Sequence, residues 1–360
     1  MKCHLLKQKT TALTLVELLM VIAAIVMLIS LFLPAVLSAQ ELETPSPRLV
    51  ETVRDNTHQI TIPEEHESWT FLVFGDRTTG TPEGLQVLEE AVLDANRLKP
   101  DFVMNIGDMV QGYNATESWL QQMHEYKAVM KILECPWYPT AGNHDVYGGK
   151  FASELPRGQH EKEYEEHFGP LWYTFMYKNN RFIVLFTDEG NPETGEKNFN
   201  KPECQQMSDA QFQWLQSVLE KSHGADGIYV FQHHPRWLGE NYGNDWNKVH
   251  DAFVKSGNVK AVFAGHIHRA TYMEKDGIQY MTLATTGGKL SELSPEDGFL
   301  HHINHVSVHK TSPPKITILP VRSTIDVTSM PSRRSDPSKP QEVDTPSERK
   351  DEKPILQTAS

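Results

Sequence analysis

Carboxylates, an amide and imidazoles recur in this sequence directly after short apolar runs. Asp76 follows the run 71–74 through Gly75, Asp108 follows 102–106 through Gly107, and Asn143 follows 137–140 through Gly142. His233 comes after 228–231 with Gln232 between, and His266 follows 259–264 through Gly265, with His268 two residues on. Oxygen and imidazole donors without thiolate suit Mn, Fe or Zn better than a soft metal. Short apolar runs of this kind read as buried strands, and in α/β sheets ligands gather outside the carboxyl ends of strands. A glycine just before four of the five groups lets the backbone turn sharply. Within Gly142-Asn143-His144-Asp145, Asn143 offers a neutral oxygen and His144 an imidazole able to carry a proton. Asp145 is a carboxylate placed to orient that imidazole.

These residues need a frame of strands and helices. Strand-like runs occupy 70–74, 102–106, 137–140, 228–231, 259–264, 279–284, 304–309 and 315–319, and 173–177 pairs with 182–186 through the turn Asn179-Asn180. The spacing predicts a helix opening at Thr81-Pro82, with Thr as cap and Pro at the first helical position, and with Leu85, Leu88, Val92 and Ala95 on one face. A second helix is expected over 117–133 and another near 246–256. Ser208-Asp209-Ala210-Gln211 reads as a capping box opening a helix to about residue 221. Segments 148–170 and 190–204 read as polar, irregular loops. Strands alternate with helices early and dominate late, which argues a mixed α/β layered domain.

In this order, Gly75-Asp76, Gly107-Asp108, Gly142-Asn143-His144-Asp145, His233 and Gly265-His266-Ile267-His268 resemble the calcineurin-like metallophosphoesterase family over about residues 70–320. The resemblance implies a four-layer sandwich of two mixed β-sheets flanked by helices. It implies a two-metal site in which Asp108 bridges, Asp76 and His268 serve one ion, and Asn143, His233 and His266 serve the other. The implied reaction is hydrolysis of a phosphomonoester or phosphodiester by attack of a metal-bridging hydroxide, with His144 as general acid oriented by Asp145. Two cations roughly 3.5–4 Å apart can clamp a phosphoryl group and activate water. The expected cofactors are therefore two divalent or trivalent ions, Mn, Fe or Zn, and the expected partner is a phosphorylated small molecule or other phosphoester.

One departure stands out. The family often places His two residues after the first Asp, and this chain reads Asp76-Arg77-Thr78. Thr78, Gln111 or water would fill that place, or that ion binds weakly. Purple acid phosphatases also lack that His but supply a Tyr where Gln111 stands here. Arg77 either grips a substrate phosphate, since guanidinium forks match phosphate oxygens, or is a solvated loop charge. His234, beside His233, faces substrate or packs. The N–H groups of Thr285-Thr286-Gly287-Gly288 line the site mouth or form an ordinary turn. His301, His302, His305 and His309 read as surface groups, and Trp172, Trp237, Tyr242 and Trp246 as core. The alternative to an enzyme is a catalytically weak scaffold of the same fold at the cell surface, motivated by Thr78.

Across 360 residues the net charge is −13, with 17 His and 3 Cys. No clustered basic stretch indicates a nucleic-acid partner. Cys3, Cys135 and Cys204 lack the spacing of a zinc knuckle or a disulfide framework, although Cys135 and Cys204 could pair outside the cytoplasm. Lys2, Lys7 and Lys9 precede an apolar run over 18–37, about the length that spans a bilayer as a helix. The positive-inside rule then puts the remainder outside the cytoplasm, anchored in the membrane or released after cleavage near Ser38-Ala39. Residues 13–22 also resemble the leader of type IV pilins and pseudopilins, with Ala12 where that family usually has glycine. The expected organisation is a signal or anchor over 1–40, a linker over 41–68, the metallophosphoesterase domain over 69–321 and a tail over 322–360. That tail is too poor in apolar residues to offset its ordering entropy.

Overall fold

The computed structural model describes residues 68–151, 154–239, 246–310 and 312–321. The anchor, leader and tail readings, Tyr242 and nearly all of the linker lie outside the described residues. Strand β1 (Trp69–Phe74) pairs in parallel with β2 (Phe102–Asn105), and β2 with β3 (Trp137–Tyr138). The helices α1 (Gly84–Leu98) and α2 (Thr116–Met130) carry the crossovers. Between β3 and the second sheet come the single turn α3 (Asn143–Val146) and α4 (Gln159–His167).

The second sheet begins with the antiparallel pair β4 (Tyr173–Tyr177) and β5 (Asn180–Val184). It continues in parallel through β6 (Gly227–Phe231) and β7 (Val259–Ala264), with α5 (Asp209–Lys221) before β6 and α6 (Asn247–Ser256) between β6 and β7 in sequence. The hairpin β8 (Thr271–Lys275) and β9 (Ile278–Thr282) completes it in the order β4-β5-β6-β7-β9-β8. The chain then returns to the first sheet as β10 (His302–His309) and β11 (Ser312–Pro320), antiparallel neighbours that give the order β11-β10-β1-β2-β3.

Strand alternation sends side chains to opposite faces, and both faces of these sheets are covered. Phe71 and Val73 of β1 join Phe102, Phe182, Phe231 and Phe263 between the sheets. Leu72 and Phe74 of the same strand pack under α1 and α2 with Leu88, Val92, Trp119 and Tyr126. A third group, including Ile183, Val230, Leu215, Val249 and Phe253, fills the space under α5 and α6. Burial on both faces is why β1, β2 and β6 read as unbroken apolar runs. The result is helix, sheet, sheet, helix: two mixed sheets flanked by helices, as expected.

The local differences have physical causes. Helix α1 starts at Gly84, because Thr81 and Pro82 form a turn closed by Gly84 N–H to Thr81 O at 2.9 Å. The Thr81 hydroxyl bonds the Glu83 carboxylate, and no side chain caps this helix. Ser208 does cap α5 through Gln211 N–H at 3.2 Å. The reciprocal bond, however, comes from Glu189, which accepts from Ser208 N–H at 2.7 Å, while the Gln211 amide bonds the backbone of Phe186. Helix α4 and strand β8 give no apolar signal, since α4 buries only His160 and Tyr164 and β8 is a mostly exposed sheet edge.

His302 is not the surface group expected; it is fully buried and accepts from Ala284 N–H at 2.9 Å. His305 and His309, on the alternate face of β10, are half-exposed. Trp246 is buried with the α5–α6 group, Trp237 packs against that group, and Trp172 packs against the α1–α2 group. Cys135 and Cys204 are both free thiols. Among the described residues no helix is long and apolar enough to cross a membrane.

Candidate metal centre

The ends of β1, β2, β3, β6 and β7 deliver the six ligand-type residues to one place. Asp76, Asp108 and His233 present ligand atoms within 4.8 Å of one another. His233 Nε2 lies 3.3 Å from Asp108 Oδ2 and 3.0 Å from Asn143 Oδ1. Asn143 Oδ1 is also 2.9 Å from His266 Nδ1. His268 Nε2 stands 3.2 Å from Asp76 Oδ2. Backbone amides fix the carboxylates: His144 N–H donates to Asp108 Oδ1 at 2.9 Å and His266 N–H to Asp76 Oδ2 at 2.8 Å. Asp108, His266 and His268 adopt left-handed backbone, with φ of 57°, 70° and 51°. Non-glycine residues rarely hold that conformation, and strain of this kind collects at functional sites.

The glycines turn out to serve clearance as much as turning. A Cβ on Gly265 would lie 2.1 Å from Asp76 Oδ1, and one on Gly142 would lie 2.3 Å from Asp108 Oδ1. Of the four preceding glycines, Gly107 alone has positive φ, at 100°.

Charges within the site act strongly on one another. Burial opposes a charge on Asp108, yet the imidazoles of His233, His144 and His266 override it and hold the carboxyl well below its usual range. Burial also opposes a charge on His233, and the carboxylates of Asp108 and Asp76 overcome it, pulling this imidazole up to about 10. His266 and His234 go the other way: burial first, then neighbouring positive groups for His266, keep both neutral, with His234 pushed down to about 4. Asp76 Oδ1 is buried with no hydrogen-bond partner. A buried carboxyl oxygen without a partner is costly, and a metal ion is a group that would complete it. The donor set and this orphaned oxygen therefore fit metal binding.

Several expected roles change. Asp145 does not touch the His144 ring. It is fully buried and accepts from the N–H groups of Asp108, Met109, Val110 and Gly142 at 2.8–3.2 Å. Burial and the charge of Asp108 push its carboxyl upward, while the N–H groups of Gly142 and Val110 pull it back. The His144 ring is oriented instead by a short bond from Nδ1 to Gln111 O and by Tyr113, whose ring centroid lies 4.2 Å away. Arg77 is 6% exposed, lies against Gly84, and is influenced most by burial and then by Glu125 and Tyr126 of α2. It is thus not a solvated loop charge: its Nε and Nη1 are buried without a hydrogen-bond partner, and its backbone N–H donates to Asp108 O at 3.0 Å. The N–H groups of Thr286 and Gly288 are taken by Asp76 O, at 2.8 and 3.1 Å, so this turn holds the Asp76 backbone. Gln111 binds the loop at Thr79 and Gly80, while the Thr78 hydroxyl is buried without a partner.

Three residues of the site were not singled out by the sequence. Tyr113 accepts from Asn143 Nδ2 at 2.6 Å. Phe199, in the loop 190–204, sets its ring 4.8 Å from that of His266. Asp188 holds His234 Nδ1 at 3.1 Å; it lies four residues past the end of β5, so the strand-end rule could have found it. A cleft of about 540 Å³ opens beside these groups, lined by Tyr113, Tyr147, Arg157, Lys197 and Phe199 among others. A larger cleft of about 920 Å³, lined by Trp69, Lys178 and Lys260 among others, contains none of the ligand-type residues.

The chain is similar to several known proteins. A serine/threonine-protein phosphatase (CPPED1) from Danio rerio is 24% identical over 224 residues, 58% of this chain and 68% of that protein. A probable glycerophosphodiester phosphodiesterase (GpdQ) from Arcobacter nitrofigilis is 25% identical over 209 residues, 56% of this chain and 69% of that protein. The crystal structure of a dimetal phosphatase from Danio rerio superposes with a TM-score of 0.51 at 18% identity, covering 70% of this chain and 99% of that one; this likeness concerns the fold. Residues 69–270, more than half of the chain, match the calcineurin-like phosphoesterase family, and the chain belongs to that family.

Proposed function

We propose that this chain is a metal-dependent hydrolase of phosphomonoesters or phosphodiesters. One observation carries the reading: six ligand-type side chains from five strand ends contact one another at 2.9–3.3 Å or within 4.8 Å, leave Asp76 Oδ1 orphaned, and have His144 beside them. Asp76, Asp108, Asn143, His233, His266 and His268 would hold two metal ions, with Mn, Fe and Zn the candidates by donor type. When bound, such ions neutralise phosphoryl charge and make water a better nucleophile.

The chain's own residues do the rest. Asp108 is fixed by the His144 amide, which ties the loop carrying the proton donor to the loop carrying Asp108. Gln111 O accepts the Nδ1 hydrogen of His144, which leaves Nε2 to hold a proton and deliver it to the departing oxygen, as a positioned imidazole can. Tyr113 limits rotation of that ring. The adjoining cleft receives the leaving group between aromatic walls, and exposed Arg157 at its edge attracts an anionic substrate.

The relatives' names divide between a phosphatase and a phosphodiesterase, so the test uses both ester classes. Full-length protein with added Mn should hydrolyse p-nitrophenyl phosphate or its bis ester, and Asn143→Ala should abolish the rate. No hydrolysis with any divalent ion, and no ion bound, would leave the scaffold reading suggested by Thr78. The lysines and apolar run before residue 40 support export to the extracytoplasmic side of a membrane. Terminal sequencing of the mature protein and membrane fractionation test that, and a mature chain recovered in a filament would favour the pilin-like leader.

A further inference from the structure

We propose that His234 is an additional metal ligand, held in place by Asp188, so that one ion of the centre is served by three imidazoles. The proposal rests on the metal-dependent reading above. His233 and His268 show how this fold prepares a ligand. His233 Nδ1 bonds Ile106 O at 2.9 Å and His268 Nδ1 bonds Lys289 O at 2.6 Å, so each presents Nε2 to the carboxylates. A second bond of this kind, to a carboxylate or backbone carbonyl, fixes tautomer and ring orientation in metal-bound histidines.

His234 has the same arrangement. Its Nδ1 lies 3.1 Å from Asp188 Oδ2 and 3.1 Å from Thr187 Oγ1, and its backbone N–H donates to that hydroxyl at 3.2 Å. Asp188 is itself fixed by Tyr147, whose hydroxyl donates at 2.8 Å. A carboxylate only accepts, so a ring hydrogen sits on Nδ1 and Nε2 is the nitrogen open to a metal. That Nε2 is fully buried and has no hydrogen-bond partner. His233, His234 and His266 present ligand atoms within 4.8 Å of one another, with ring centroids 3.9–5.3 Å apart.

The chemistry of Nε2 selects the ligand. Simple packing would leave a buried acceptor unsatisfied, which costs about 1–3 kcal/mol. A cation satisfies it. The chain has Thr78 where the family often has an imidazole, and His234 supplies one on the side of Asn143, His233 and His266. The two ions should therefore bind unequally, the imidazole-rich one more tightly.

The test is titration of metal-stripped, full-length protein with Co(II), read by visible absorption and by competition with a chromophoric chelator. The wild-type chain should take two ions in separable steps. His234→Ala should weaken the tighter step at least tenfold and alter its absorption bands. Asp188→Asn, which keeps side-chain volume, should weaken it roughly 10–100-fold, as loss of an outer hydrogen-bond partner does. Thermal unfolding of the stripped proteins checks that each variant folds, and Asp188→Asn carries the test if His234→Ala does not. Both variants within twofold of wild type in affinity, with unchanged bands, would overturn the proposal, as would a change confined to KM for p-nitrophenyl phosphate. Failure of the wild-type chain itself to bind Co(II) would overturn the metal-dependent reading as well.

Discussion

Asp145 and His144 are neighbours whose contributions separate cleanly. Asp145 ties four backbone N–H groups of two loops to one carboxylate, so its removal orphans buried donors. Asp145→Ala should cost at least about 3 kcal/mol of stability, measured by urea unfolding of the stripped protein. A role confined to orienting His144 would leave the urea midpoint in place. His144 meets Asp108 through its backbone amide, which alanine retains. His144→Ala should therefore keep its metal content while kcat falls roughly 10²–10⁴-fold. The loss should be larger for an alkyl phosphate than for p-nitrophenyl phosphate, because a poor leaving group needs the proton more. Equal losses would argue against proton donation.

At the scale of elements, β10 and the turn after β7 each expose one dependence. Burial, opposed by the Ile303 backbone, pushes His302 down to about 4, against roughly 6.5 for an unfolded chain. The unfolded state thus takes up its proton first as pH falls. Stability is intact above about pH 6.5 and declines toward pH 4, by up to about 3 kcal/mol from this residue. His302→Gln should flatten that part of the stability–pH curve, and an unchanged slope would mean another group sets it. In the turn after β7, a Cβ at Gly265 has no room beside Asp76 Oδ1. Gly265→Ala should cost about 1–3 kcal/mol by overpacking and lower Mn stoichiometry measured by elemental analysis. Full Mn content in that variant would show that Asp76 can move without harm.

The whole molecule makes the site a joint between two sheets. Asp76, Asp108 and Asn143 come from the first sheet, and His233, His266 and His268 from the second. Between them Phe71 touches Phe102 in its own sheet and Phe182, Tyr229, Phe231 and Phe263 in the other, at centroid distances of 5.4–6.3 Å. Phe71→Ala should cost about 3–5 kcal/mol. It should also weaken metal binding, although Phe71 offers no ligand atom, because the sheets set the distance between the two halves of the site. Calorimetric metal titration of the folded variant checks this, and wild-type affinity would show that the loops alone fix the ligands.

The ligand types, their order and their places at strand ends were legible from the chain, because apolar runs buried on both faces are continuous and end abruptly at Gly-Asp or Gly-His. The same pattern gave a mixed α/β layered domain, and the order of the layers came from the family resemblance. Helix α4 and strand β8 were not legible, since one is a polar helix and the other an exposed edge, and neither carries an apolar period. Nor could the sequence assign second partners. That Asp145 would serve backbone amides, that Gln111 O would orient His144, and that Asp188 would hold His234 depend on contacts across 33 to 46 positions. Sequence by itself determined which atoms are available to a metal. Tertiary structure decided which of their remaining atoms are already engaged, because hydrogen-bond partners are chosen by proximity across the fold and not along the chain.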